Sequence, residues 1–174
     1  AVIGGGQLAR MMQEEASALG IHLRSLVEAA DGSTGQVVVD APVGAADDEA
    51  AVRAVTAGDG TQGPGGEPVA VLTFEHEHQD SSLLERLQDE GVSVQPTPQA
   101  LELARDKLAM RRAMSEAGLP QPAWVEVGGP QQETAQEMSD AVEAFAAEHG
   151  WPVVLKTPRG GYDGHGVLLV RSAE

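Results

Sequence analysis

The chain has 174 residues, 41% of them apolar but only 3% aromatic, so its core must be built from Val, Leu and Ala. Eleven Lys and Arg against 27 Asp and Glu give a formal charge of −16, the mark of a solubilising surface; it argues against a nucleic-acid or anionic-membrane partner and requires a local cluster of donors for any phosphorylated ligand. With no cysteine, disulfides, thiolate catalysis and zinc–thiolate sites are excluded; no apolar run reaches the ~20 residues of a membrane span and no signal-like segment opens the chain, so a cytoplasmic protein is expected.

Ala1-Val2-Ile3 already reads as a strand and the chain stops just after another, so a fragment of a longer protein is expected. Gly4-Gly5-Gly6 follows as a tight turn, and Leu8, Met11, Met12, Glu15, Ala16 and Leu19 recur at helical spacing up to Gly20, a natural stop. His22 to Val27 reads as a second strand, giving a βαβ unit with parallel strands and a right-handed crossover. Gly4-x-Gly6-x-x-Ala9 fits a loose dinucleotide fingerprint, with Glu28 where a ribose-binding acid would stand. At this point three readings stay open: an NAD-binding turn, another phosphate on the helix N-terminus, or a turn that needs glycine for packing alone.

Val37-Val38-Val39 reads as a short strand, residues 47–57 as an acidic helix capped by Asp47 or Asp48, and the Gly- and Pro-rich run 58–68 as a surface loop. The apolar run Val69 to Phe74 predicts a buried strand that delivers Glu75-His76-Glu77-His78 to the ligand end of an open sheet. Alternation would put Glu75 and Glu77 on one side, able to accept from hydroxyls or an amine, and His76 and His78 on the other, where a metal site is the competing reading. Ser82 to Glu90 reads as a helix and Val92 to Val94 as a strand, so residues 1–95 alternate β and α as a doubly wound parallel sheet does.

From Thr97 the pattern changes to two helices, 99–104 and 106–117, the second closed by Gly118-Leu119-Pro120. Lys107, Arg111 and Arg112 gather three of the eleven positive charges, with Lys107 and Arg111 on one helical face; either an anionic ligand or nearby acids such as Glu102 and Glu116 would meet them. Trp124 to Val127 reads as a strand and Ser139 to His149 as a helix with Val142 and Phe145 inward. The last stretch is an apolar strand ending in Lys156, a loop with four glycines between 160 and 166, and a return strand Val167 to Val170. Such a loop brings bare backbone N–H groups to phosphate oxygens, and Lys156 adds a point charge. Because the lysine precedes the glycines, this is not a Walker A loop.

Taken together, Gly4-Gly5-Gly6-Gln7-Leu8-Ala9-Arg10-Met11, Thr73-Phe74-Glu75-His76-Glu77, Asp106-Lys107, Gly118-Leu119-Pro120 with Trp124, and Lys156 with Gly160-Gly161-Tyr162-Asp163-Gly164-His165-Gly166 resemble, in order and spacing, the N-terminal half of the 5-(carboxyamino)imidazole ribonucleotide synthase family. These are ATP-grasp ligases of purine biosynthesis. The resemblance implies an α/β fold: a Rossmann-like pre-ATP-grasp domain over 1–96, a helical connection over 97–123, and the start of an ATP-grasp domain over 124–174. It implies a cytoplasmic homodimer that uses ATP, Mg2+ and bicarbonate to carboxylate aminoimidazole ribonucleotide through carboxyphosphate, the metal ligands lying in the absent half. Gly6, Gln7, Leu8, Glu75 and Glu77 would hold that substrate. Lys107, Lys156, Gly161, Tyr162, Asp163, Gly164, His165, Gly166 and Val167 would hold ATP, with Tyr162, Asp163 and His165 beside the reacting groups.

Two other readings compete: a formate-dependent glycinamide ribonucleotide ligase of the same superfamily, which would carry Glu in place of Gln7, and an NAD-binding Rossmann domain, which leaves the Lys156 to Gly166 stretch unexplained. Against the usual pattern, His76 and His78 stand in place of Phe and Asn, and His165 in place of a lid arginine. An imidazole there replaces a fixed charge by one that changes near neutrality. Binding of the anionic intermediate by the full-length enzyme is therefore expected to vary with pH between about 6 and 7.5; a flat profile, unchanged by His165→Arg, would contradict this.

Overall fold

The computed structural model describes residues 1–60, 65–129, 132, 134–161 and 164–173. They form two compact units, Ala1–Leu101 and Glu102–Glu174.

In the first unit, β1 (Val2–Ile3) lies between β2 (Ser25–Leu26) and β3 (Thr73–Phe74) in a parallel sheet of order β2-β1-β3. Single bridges Arg24–Asp40, Val27–Val43 and Leu72–Val94 extend the sheet at its margins. Helix α1 (Gln7–Leu19) connects β1 to β2 and stops at Gly20, whose φ of +69° is open to glycine at no steric cost. Its buried face is Ala9 and Ala16, while Leu8, Met11 and Leu19 are exposed. Of the apolar period, Leu8, Met11 and Leu19 thus face solvent, and the buried positions carry only methyl groups.

Helices α2 (Glu49–Ala57) and α3 (Ser81–Asp89) each begin at an aspartate, Asp48 and Asp80, whose side chain accepts from two backbone amides of the first turn. Their inward residues Val52, Val55, Leu83, Leu84 and Leu87 join Ile3, Leu26, Leu72, Phe74, Val94 and Leu101 in one core. Leu101 reaches it from α4 (Pro98–Arg105). The predicted strand at Val37–Val39 is instead a run of turns: the amides of Val37 and Val38 donate to Thr34 O, and Thr34 N donates to Gly5 O, which folds the segment back against the glycine turn. Val92–Val94 is reduced to the bridge at Val94, with Leu72 N donating to Ser93 O.

The second unit holds α5 (Lys107–Glu116), α6 (Ala135–His149) and the antiparallel pair β4 (Val153–Lys156) and β5 (Val167–Val170), in which Lys156 faces Val167. Thr134 and Glu137 cap α6 reciprocally. Val142 and Ala146 of α6 pack on Val153, with Phe145, Val127, Leu155 and Val170 around them. Residues 124–127 are not a strand; they are tied by side chains, Glu126 pairing with Arg112, rather than by a backbone ladder. Among the described residues no helix is long and apolar enough to cross a membrane.

One buried cation stabilises the sheet margin. The Arg24 guanidinium donates to Asp40 at 2.8 Å, to Val55 O at 3.0 Å and to Gly65 O. Burial pushes the Asp40 carboxyl up, but hydrogen bonds and charge from Arg24 and His22 outweigh this and hold it below the ordinary carboxylate range. Asp40→Ala, which strands a buried charge, should cost about 3 kcal/mol in urea unfolding. Because the folded pKa is the lower one, the contribution is present above the unfolded value near ~4 and is lost as pH falls through the folded value. Asp40→Asn should lack that acid limb; an identical pH dependence in both proteins would refute the assignment.

Candidate functional site

At the carboxyl end of the parallel sheet the chain leaves β1 through Gly4-Gly5-Gly6 into α1. This helix has no side-chain cap of its own and no acid in its first turn, so its first amides need an acceptor from elsewhere. Glu75 supplies it from the end of β3: one carboxylate oxygen accepts from Gly6 N at 2.6 Å, the other from Leu8 N at 2.9 Å. The Glu75 backbone is fixed in turn by its amide, which donates to Ile3 O at 2.9 Å. A carboxylate at this position also complements the positive end of the helix dipole.

The glycines follow from that contact. A Cβ on Gly4 would stand 2.7 Å from the Glu75 Cβ, and one on Gly6 would run into the Glu75 carboxylate. On Gly5 it would meet Glu28 Oε2 at 2.8 Å and the Val27 Cβ at 3.0 Å. Gly4 also has a φ of +130°. From behind, Ser25 Oγ donates to Gly4 O at 2.8 Å and the buried Thr34 hydroxyl donates to Gly6 O at 2.7 Å. Gln7 Oε1 accepts from Ser33 Oγ, and Arg10 donates to Ser33 O. No periodicity or spacing rule links positions 25, 33 and 34 to the turn, so the sequence gives no sign of these supports; Arg10 is visible only within the helix motif.

Beyond Phe74 the chain bends, so strand alternation does not govern 75–78. Glu77 is half-buried and lies 3.7 Å from His78 Nε2. His76 Nδ1 accepts from His78 N, and the two rings stand 5.7 Å apart. Among the described residues no group of three or more His, Asp or Glu is arranged to hold a metal ion.

The second constellation lies in the second unit. Thr157 N donates to Gly166 O at 2.9 Å and closes the stem of the glycine loop. Lys107 N donates to Pro158 O at 2.9 Å, and Lys107 Nζ is 3.2 Å from where a Gly161 Cβ would stand. A side chain on Gly166 would collide with Thr157 Oγ1. Lys107, Arg111 and Lys156 all border a cleft of about 1000 Å³, walled by Trp124, Val142, Phe145, Leu155 and Val167. Arg112 is turned to Glu126 instead. Gly164, His165 and Val167 are exposed, while Tyr162 and Asp163 lie outside the described residues. An apolar wall with ammonium groups beside bare backbone suits a nucleotide: ring against the wall, phosphates against the cations. Arg159, which sequence reading passed over, donates to Asp106 at 2.9 Å and to Glu102.

The family model for the ribonucleotide synthetase preATP-grasp domain matches residues 1–105. An N5-carboxyaminoimidazole ribonucleotide synthase of Mycobacterium tuberculosis is 43% identical over 171 residues, which are 98% of this chain and 35% of that protein. A solved N5-carboxyaminoimidazole ribonucleotide synthetase in complex with ADP superposes with a TM-score of 0.78 at 29% identity, over 98% of this chain and 40% of its own. The enzyme from Aspergillus clavatus, solved with ADP and 5-aminoimidazole ribonucleotide, gives 0.74 at 25% identity, over 99% and 41%. The chain therefore spans little more than a third of the curated relative and about two fifths of the solved structures.

The contact between Glu75 and the turn predicts a coupling. Gly6 has a φ of −90°, open to any residue, so only Glu75 forbids a side chain there. Gly6→Ala should destabilise by about 2 kcal/mol, and Glu75→Ala should suppress most of that increment in a double-mutant cycle on denaturant unfolding. Gly4→Ala should not be rescued in the same way, because its φ is left-handed whatever its neighbour. Strict additivity for the Gly6 pair would contradict the contact.

Proposed function

Since the chain belongs to the family of the ribonucleotide synthetase preATP-grasp domain, through residues 1–105, we propose that it is the N-terminal portion of an ATP-dependent ligase that carboxylates 5-aminoimidazole ribonucleotide with bicarbonate, by way of carboxyphosphate, in purine biosynthesis. In this reading residues 1–96 are the substrate-binding domain, 97–123 the connection, and 124–174 the opening of the ATP-grasp domain. The full-length protein acts in the cytoplasm as a homodimer.

The observation that carries the reading is Glu75 on the α1 amides. A carboxylate has about four lone-pair sites. Two are taken by Gly6 N and Leu8 N, which leaves acceptor capacity for hydroxyl or amine donors of a ligand. The same negative charge repels a phosphate. The turn thus suits the ribose side of a ribonucleotide, with Gly6, Gln7 and Leu8 against the sugar and Glu77 as the second acceptor. For a dinucleotide the arrangement is unfavourable, since the pyrophosphate would need the amides that Glu75 already holds. Gln7, where the formate-dependent ligase would carry Glu, speaks against that alternative.

ATP fits the cleft of the second unit. Lys107 and Lys156 would neutralise its phosphates, Gly161, Gly164, His165 and Gly166 would present backbone to them, and Val167 would line the floor. Tyr162 and Asp163 complete the loop in sequence. Holding the phosphates against fixed ammonium groups, with water excluded by the loop, favours transfer to bicarbonate over loss to solvent. The described residues offer no carboxylate set for magnesium, so no step is assigned to it.

The test is ADP release by the full-length enzyme. With ATP, magnesium and bicarbonate, aminoimidazole ribonucleotide should stimulate release, and Lys156→Ala should lower kcat/KM for ATP by about 100-fold. Stimulation by formate with glycinamide ribonucleotide instead, or by neither pair, would overturn the proposal.

A further inference from the structure

Sequence and fold leave Arg159 outside both sets of ligand-binding residues, yet its side chain is held by two carboxylates at the entry to the glycine loop. Its Nε donates to Asp106 Oδ2 at 2.9 Å and its Nη2 donates to Glu102 Oε1. Asp106 uses its other oxygen for a separate task, accepting from Leu108 N at 2.9 Å and Ala109 N at 3.0 Å as the N-cap of α5. Between these contacts sits Lys107, whose amide donates to the carbonyl of Pro158, one residue before the arginine. Residues 158 and 159 are therefore tied to the junction of α4 and α5 by one backbone bond and two charge-assisted ones. The first residue beyond the tie is Gly160, whose φ of +72° gives the chain its turn, and Gly161 then lies against Lys107 Nζ.

We propose that Arg159 is a positioning residue: by bridging Glu102 and Asp106 it holds the Pro158 carbonyl on the Lys107 amide, and so fixes the Lys107 ammonium against the backbone at Gly161. Its side chain is 54% exposed, and either ion pair alone would contribute little. The arrangement gains from sharing, since a planar guanidinium donates to two carboxylates at once while a third bond closes beside it. Lysine cannot reproduce that fork. The kinetic consequence rests on the ATP-site reading above; the structural one does not.

The test uses full-length protein carrying Arg159→Ala, Arg159→Lys or Glu102→Gln, examined first without any nucleotide. Hydrogen exchange at the Lys107 amide should quicken about 5-fold in Arg159→Ala, while Leu108 and Ala109, still capped by Asp106, stay protected. The KM for ATP should then rise about 5-fold with the KM for aminoimidazole ribonucleotide unchanged, and Arg159→Lys and Glu102→Gln should fall between wild type and Arg159→Ala. Unchanged exchange at Lys107, or equal loss of protection along the whole of α5, would overturn the proposal. A selective gain of exchange at Lys107 in a protein that shows no ATP binding would uphold the clamp and count against the ATP reading alone.

Discussion

The first unit depends on one carboxylate placed at the start of one helix. Helix α1 begins without a cap, and Glu75 reaches across from the neighbouring strand to accept from Gly6 N and Leu8 N. Everything nearby accommodates this contact. Gly4 and Gly6 have no side chain because Glu75 fills their space, and Gly5 is bare because Val27 and Glu28 crowd it. The order β2-β1-β3 puts the end of β3 beside the turn that follows β1, so the sheet topology itself delivers the acid to the helix. A glycine-rich turn that looks made for phosphate is, in this protein, made for a carboxylate.

In the second unit a strongly acidic chain gathers cations around one cleft. Lys107 comes from the first residue of α5, Arg111 from the next turn and Lys156 from the end of β4. The glycine loop is then tied to the same helix start by Arg159 and Pro158, so the loop and the lysine share one anchor. The family match, over residues 1–105, covers the first unit and only the start of the second.

Much of this was legible in the sequence. The βαβ opening, the stops at Gly20 and Gly118, the cap at Asp48 and the β4–loop–β5 hairpin each rest on local chemistry that a few residues declare. The misses are of another kind. Val37–Val39 and Trp124–Val127 have strand composition but, among the described residues, no partner strand, and their backbone or side chains are engaged elsewhere. In α1 the spacing announces the helix but not which side is covered: Leu8, Met11 and Leu19 are exposed, and Ala9 and Ala16 are buried. For the site, the glycines, Glu75, Lys107 and Lys156 stood out by type and position. Their supports, Ser25, Thr34 and Arg159, did not, since a contact across 21 to 57 residues of sequence leaves no local pattern.

The claim that the glycine turn reads a sugar through Glu75 is tested most directly by equilibrium binding. The affinity of the full-length protein for aminoimidazole ribonucleotide is compared with that for its 2′,3′-dideoxy analogue, in wild type and in Glu75→Gln. The account predicts that removing the hydroxyls weakens binding by about 10-fold or more in wild type, and that the difference shrinks in Glu75→Gln. Equal affinity for the two ligands in wild type, or a difference that Glu75→Gln leaves intact, would contradict it.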